Sequence, residues 1–172
     1  MVEIHPGIFV GSDEDYLGLE KEYIPSRNID QPINGWAVLH CCKEPYHRQF
    51  VGYRGRGAPR DYPEYFFAIR GDRMALNMID APSPNFFSFE MITAGLGFLF
   101  EKRCLQGKKL LIHCNLGISR GPSIAMLYIN TYVKDAPRVS FEQAEAEMKS
   151  VYPAYSPGEG IRGHLRRFWY VY

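Results

Sequence analysis

The chain has 172 residues, a formal net charge of +1 at pH 7, 46% hydrophobic residues and 23% charged ones. That is the size and balance of one globular domain, residues 1–172, with a core of its own, and near-neutral charge excludes bulk attraction to an anionic partner. No stretch approaches 18 apolar residues, so no membrane-spanning helix is expected.

The opening Met1-Val2-Glu3-Ile4-His5-Pro6 has neither a basic nor an apolar signal region, so no signal peptide is expected. Val2 to Val10 predicts a hairpin turned at His5-Pro6-Gly7. Ser12-Asp13-Glu14-Asp15 opens a short helix, with Ser12 as N-cap and acids in the first turn. Trp36 to Cys42 predicts a strand. Residues 43–73 differ from the rest: they are rich in Gly, Arg and aromatics around Tyr53-Arg54-Gly55-Arg56-Gly57. Met74 to Ile79 predicts another strand, and the stripe Phe89, Ile92, Leu96, Leu99 a helix over 88–105. Lys108 to Ile112 predicts a buried strand and Gly121 to Val133 a buried helix, with Pro122 tolerated in its first turn. Ser140-Phe141-Glu142-Gln143 is a capping box, and residues 159–172 form a last aromatic helix. Strands alternating with helices indicate an α/β fold: a mostly parallel central sheet flanked by helices.

Between the predicted strand and helix stands His113-Cys114-Asn115-Leu116-Gly117-Ile118-Ser119-Arg120. A loop from a strand's C-terminal end to a helix N-terminus gathers N–H groups and the helix dipole around an anion. It stabilises a thiolate and a phosphate above it. The four cysteines, Cys41, Cys42, Cys104 and Cys114, are too few for a disulfide scaffold and lack C-x-x-C spacing. No metal and no cofactor are expected, and a reducing, cytoplasmic setting is implied.

The loop resembles the His-Cys-x-x-Gly-x-x-Arg signature of the cysteine-dependent protein tyrosine phosphatases. Gly117-Ile118-Ser119-Arg120 resembles the dual-specificity branch. Ile4 to Ser12 is similar to the family's opening hairpin, Leu76-Asn77-Met78-Ile79-Asp80 to the strand delivering its acid, and Ser156-Pro157 to its closing segment. The resemblance implies a single-domain phosphatase-like fold and hydrolysis of phosphotyrosine, with phosphoserine and phosphothreonine as further substrates, through a phosphocysteine. It makes Cys114 the nucleophile, Arg120 the phosphate fork and Asp80 the general acid, ahead of Asp72, Asp61 and Glu64. Asn115, Leu116, Gly117, Ile118, Ser119 and Arg120 would hold phosphate, with His113 in support. Cys42 matches a strand-end cysteine that, in the lipid-phosphatase branch, bonds reversibly to the catalytic one. The family usually follows the arginine with Ser or Thr, whose hydroxyl helps the thiolate leave; here Gly121 stands there.

Asn115, Leu116 and Ile118 carry no charge, which points to a singly phosphorylated protein or peptide rather than a polyanionic lipid. Residues 43–73 read equally as a solvated insertion and as a surface for a phosphorylated peptide or nucleic acid, with nucleic acid not favoured. Two alternatives follow: a weakly active phospho-binding module, from Gly121, and a nucleic-acid-associated phosphatase, from residues 43–73.

Overall fold

Short apolar runs between turn residues build the sheet, and a computed structural model describes residues 1–23, 30–133 and 138–172. Strands β1 (Val2–His5) and β2 (Ile8–Gly11) form the expected hairpin, with Gly7 in the left-handed region. Helix α1 (Asp13–Tyr23) carries three acids in its first turn. Its opening inverts the expected cap: the Asp15 carboxylate accepts from the Ser12 N–H at 2.9 Å and from the Ser12 hydroxyl at 3.2 Å. Strand β3 (Trp36–His40) leads through a helical turn at Lys43–His47 into the short α2 (Arg48–Val51). Strands β4 (Phe67–Arg70) and β5 (Arg73–Leu76) follow, then α3 (Phe89–Phe100), which ends in a wider turn at Glu101–Leu105. Strand β6 (Lys109–His113), α4 (Arg120–Tyr132), α5 (Phe141–Val151) and α6 (Glu159–Phe168) complete the order. The capping box at Ser140 forms in full: its hydroxyl accepts from Gln143, whose side chain accepts in return.

The six strands run β1-β2-β6-β3-β5-β4, parallel through β2, β6, β3 and β5 and antiparallel at both edges. Residues 43–73 therefore do not form one solvated loop, since they contribute α2 and the edge strand β4. The overlooked signal was Gly71-Asp72. Arg70 pairs with Arg73 across that two-residue turn, and Gly71 has φ 58. The strand expected over 74–79 stops at Leu76; Asn77 then leaves the ladder and bonds to Phe66 and Tyr65.

Alternation along the strands buries both faces, as a parallel sheet requires. Ala37, Leu39, Leu110 and Ile112 pack on the side of α3 and α4 with Leu96, Leu99 and Ile124. Trp36, Val38 and Leu111 pack on the other side with Tyr16, Leu19 and Phe50. The parallel strands all point their C-terminal ends to one edge, where ligand sites of open α/β sheets collect.

Candidate active site

Cys114 to Ser119 bridge β6 and α4, and the loop is held from outside by its carbonyls. Asn115 O accepts from Asp13 N (3.2 Å), Ile118 O from Ser156 N (2.8 Å) and Ser119 O from Ser123 N (3.0 Å). Gly117 O accepts from the Tyr152 hydroxyl at 3.2 Å. A trans peptide sets the next N–H opposite its carbonyl. The N–H groups of Leu116, Ile118, Ser119 and Arg120 therefore point away from those carbonyl partners. Gly117 makes the tight path available: its φ is +75, and a Cβ there would lie 2.7 Å from the Gly11 carbonyl. Cys114 is buried, only 1% exposed, and stands between the end of β6 and the N-terminus of α4, where a helix dipole favours an anion.

Arg120 is the first residue of α4 and is 8% exposed. Its guanidinium is fixed on two sides: Nη1 donates to Met78 O at 3.1 Å and Nη2 to Asn115 Oδ1 at 2.8 Å. Its Nε, though buried, has no hydrogen-bond partner among the described residues. Asp80 lies at 3.8 Å from that Nε, and its carboxylate is 46% exposed. The Ser119 hydroxyl reaches Asp80 at 3.5 Å and accepts from Gly158 N at 3.0 Å. The other acids weighed for the same role lie elsewhere. Asp72 is buried between Lys102 and Lys108, Glu64 binds Arg70 through both oxygens, and Asp61 is exposed.

His113 faces away from the loop interior. Its Nε2 shares a 2.6 Å hydrogen bond with His40 Nδ1, and its ring stacks on Tyr16 at 5.2 Å. His40 in turn stacks on Tyr46 at 4.1 Å. Burial pushes His113 down to about 3 and His40 well below the ordinary histidine value, so both rings are neutral. Asp13 joins this frame, 3.5 Å from His113 Nδ1, and accepts from Asn115 Nδ2 at 2.9 Å. The sequence reading missed His40, Tyr16, Tyr46 and Asp13 as supports. The available signals were a histidine closing the apolar run Trp36–His40 and an aspartate read only for the helix dipole.

The strand-end cysteines separate by face. Cys41 packs in the same cluster as Cys114, and Cys42 in the other, beneath α1. Asp13, Cys42 and His113 place one ligand-type atom each within 4.8 Å of one another, the one such group among the described residues. Burial holds the Cys42 thiol far above its usual range. Gly121 is not merely a missing hydroxyl. A Cβ there would sit 2.8 Å from His113 C and 3.1 Å from Cys114 N, so α4 rests directly on the end of β6. Two nearby hydroxyls are already engaged: Ser119 as described, and Ser123 with Tyr155 at 3.0 Å. An apolar cavity of about 190 Å³, lined by Met126, Ile129 and Met148, opens at the far end of α4 and shares no residue with this site.

No family model matches the chain. Among curated proteins, "Tyrosine-protein phosphatase vhp-1" of Caenorhabditis elegans is 35% identical over 74 residues, covering 42% of this chain and 11% of the relative. "Dual specificity protein phosphatase 22-B" of Danio rerio is 28% identical over 89 residues, covering 52% of this chain and 45% of the relative. The chain thus spans less than half the length of either relative. Among solved structures, human DUSP28 superposes with a TM-score of 0.63 at 16% identity, over 99% of this chain and 93% of that one. The chain therefore shares the fold of a dual-specificity phosphatase structure, and part of its sequence is similar to proteins named as tyrosine and dual-specificity phosphatases.

Proposed function

We propose that this domain hydrolyses phosphomonoesters through a phosphocysteine on Cys114. The observation that carries the reading is the outward bonding of the loop carbonyls at Asn115, Gly117, Ile118 and Ser119, which leaves the following N–H groups to receive a phosphate. The Cys114 thiolate attacks phosphorus in line with the ester oxygen. The S–P bond forms, the P–O bond breaks, and Asp80 gives its proton to the departing oxygen. Arg120 offers its Nε–H and an Nη–H to two equatorial oxygens, a fork that matches the spreading charge. Asp80, now a carboxylate, takes a proton from water as that water attacks the phosphocysteine, and the thiolate departs.

The substrate is a phosphorylated protein or peptide, phosphotyrosine first, with phosphoserine and phosphothreonine as further substrates. Uncharged Asn115, Leu116 and Ile118 support a single phosphate in the loop. Among the described residues no helix is long and apolar enough to cross a membrane. The proposed setting is the reducing cytoplasm, where Cys114 stays a thiol. A second reading, a phospho-binding module that turns over slowly, rests on Gly121: no hydroxyl follows the arginine to assist the leaving thiolate.

The test is phosphate release from a small aryl phosphate, compared with a Cys114→Ser variant. The expected result is measurable turnover in the unmodified protein and a loss on the order of 10³-fold or more in the variant. Turnover undiminished by Cys114→Ser would overturn the proposal.

A further inference from the structure

Residues 52–57 form a second loop, held by cations and tied through residues 43–48 to the segment around Cys114. Lys43 anchors it to the phosphate loop's own framework. The Lys43 N–H donates to Met78 O at 2.8 Å, the same carbonyl that accepts from Arg120 Nη1. Lys43 Nζ then reaches across to Arg56 O. Arg48 supplies the other clamp. Its guanidinium donates to Gly55 O at 2.6 Å and Tyr53 O at 3.2 Å, while both Glu44 oxygens hold it from behind at 2.6 and 2.7 Å. Glu44 O in turn accepts from Asn115 Nδ2 at 2.9 Å. One hydrogen-bonded chain therefore runs from the phosphate loop through Glu44 and Arg48 to Gly55.

This anchoring decides which way the loop presents its charge. Carbonyls 53, 55 and 56 face inward onto Arg48 and Lys43, so the N–H groups of Arg54, Arg56 and Gly57 face outward. The Arg54 and Arg56 side chains are exposed, with no ion-pair partner among the described residues. Outward N–H groups beside two exposed guanidiniums make a surface complementary to an anion. The nearby aromatic ring offers no stacking platform for a base. Tyr53 is covered by the Arg48 guanidinium at 4.6 Å and by His47 at 5.7 Å. Within residues 52–57, cationic charge without a free ring favours an acidic peptide over single-stranded nucleic acid.

We infer that Arg54 and Arg56 bind a second anionic group of the phosphorylated peptide, a carboxylate or phosphate flanking the residue held over Cys114. The inference rests on the phosphatase reading of Cys114 and names the substrate that such a site selects: a phosphopeptide with an acidic flank. Recognition is shared between a phosphate loop that is uncharged at 115, 116 and 118 and a lip that supplies the missing charge.

The experiment compares three phosphotyrosine peptides that differ only in the flanking residues: alanine, aspartate or phosphoserine. Each is measured as kcat/KM with the unmodified protein and with Arg54→Ala/Arg56→Ala. Binding of the same peptides to Cys114→Ser is followed by fluorescence anisotropy. The expected result is a preference of roughly three- to tenfold for the acidic flanks, larger at low salt, that the double substitution reduces toward one. Aspartate and phosphoserine peptides distinguish which anion the lip takes. Equal kcat/KM and equal affinity for acidic and neutral peptides would overturn the inference, as would a preference that survives the double substitution. Competition by a 5′-phosphorylated oligonucleotide stronger than by any peptide would also overturn it. Absence of all hydrolysis, with the acidic preference still present in binding, would overturn the phosphatase reading and leave the lip standing.

Discussion

The phosphate loop and the lip at 52–57 are built with one device turned in opposite directions. In both, carbonyls are tied down so that the following N–H groups face a common side. In the phosphate loop the ties come from Asp13, Ser123, Tyr152 and Ser156, and the loop follows a buried cysteine. In the lip the ties come from Lys43 and Arg48 side chains, and the N–H groups open to solvent. The first arrangement is enclosed and low in dielectric, so each charge placed there acts strongly. The second is hydrated and screened, so its charges select among substrates without driving the reaction. Substitutions in the loop should therefore cost orders of magnitude, and those in the lip only factors of a few.

The largest effect below removal of the nucleophile is expected from Arg120→Lys. Lysine keeps the charge but cannot hold Met78 O and Asn115 Oδ1 while offering a planar fork, so kcat/KM for an aryl phosphate should fall about 10²- to 10³-fold. A loss under tenfold would place this arginine nearer to the lip's behaviour than to the loop's. Asp80→Asn comes next and sharpens the contrast by leaving group. An alkyl phosphate, which needs the proton, should lose about 10²-fold, whereas an activated aryl phosphate should lose little. Equal losses on both would remove Asp80 from the proton transfer.

Gly121 tests how closely the loop is packed. Gly121→Ala and Gly121→Ser both force a Cβ against the His113 and Cys114 backbone, 2.8 and 3.1 Å away. Both should destabilise the fold by about 1–3 kcal/mol in denaturant titration and slow the first burst of phenol release. If Gly121→Ser instead raised steady-state turnover and Gly121→Ala did not, the backbone would have yielded and the absent hydroxyl would be the true handicap.

A separate expectation, on stability rather than turnover, concerns pH. His113 is neutral in the folded protein, its value pushed by burial from 6.5 to about 3. Below pH 6.5 the unfolded chain binds the extra proton and the folded protein does not. Stability from this residue is thus complete above about pH 6.5 and is lost as pH falls toward 3, at about 1.4 kcal/mol per pH unit. His40 shifts in the same direction through burial. Carboxylates lowered by partners, such as Asp72 and Glu145, lose their share only in more acid solution. Denaturant titrations between pH 7 and pH 5 should show the decline, and a flat profile over that range would mean that the histidine frame beneath the loop is open to protonation.

The two regions also differ in how far the sequence revealed them. The loop was legible because its pattern is local: one strand, Gly117 at φ > 0 and one helix N-terminus occupy consecutive residues. The parallel sheet was legible from the apolar runs at 36–40 and 109–113, which only burial on both faces explains. The internal order of residues 43–73 was not legible because it depends on long side chains reaching backbone carbonyls, as Arg48 does to Gly55, and no periodicity records that. The frame under His113 was hidden for a related reason. It joins Asp13, Tyr16, His40 and Tyr46 from three segments, and only the parallel register that sets His40 beside His113 brings them together.

The central claim, that the N–H groups of residues 116 and 118–120 serve a phosphoryl group carried on Cys114, is tested most directly by trapping that group. The unmodified protein is mixed with excess aryl phosphate, quenched in acid within milliseconds, digested and examined by mass spectrometry. The account predicts one phosphoryl group on the peptide containing Cys114 and none on the same peptide from Cys114→Ser. Continued phosphate release with the label on another residue, or with no labelled residue while Cys114→Ser still turns over, would contradict it.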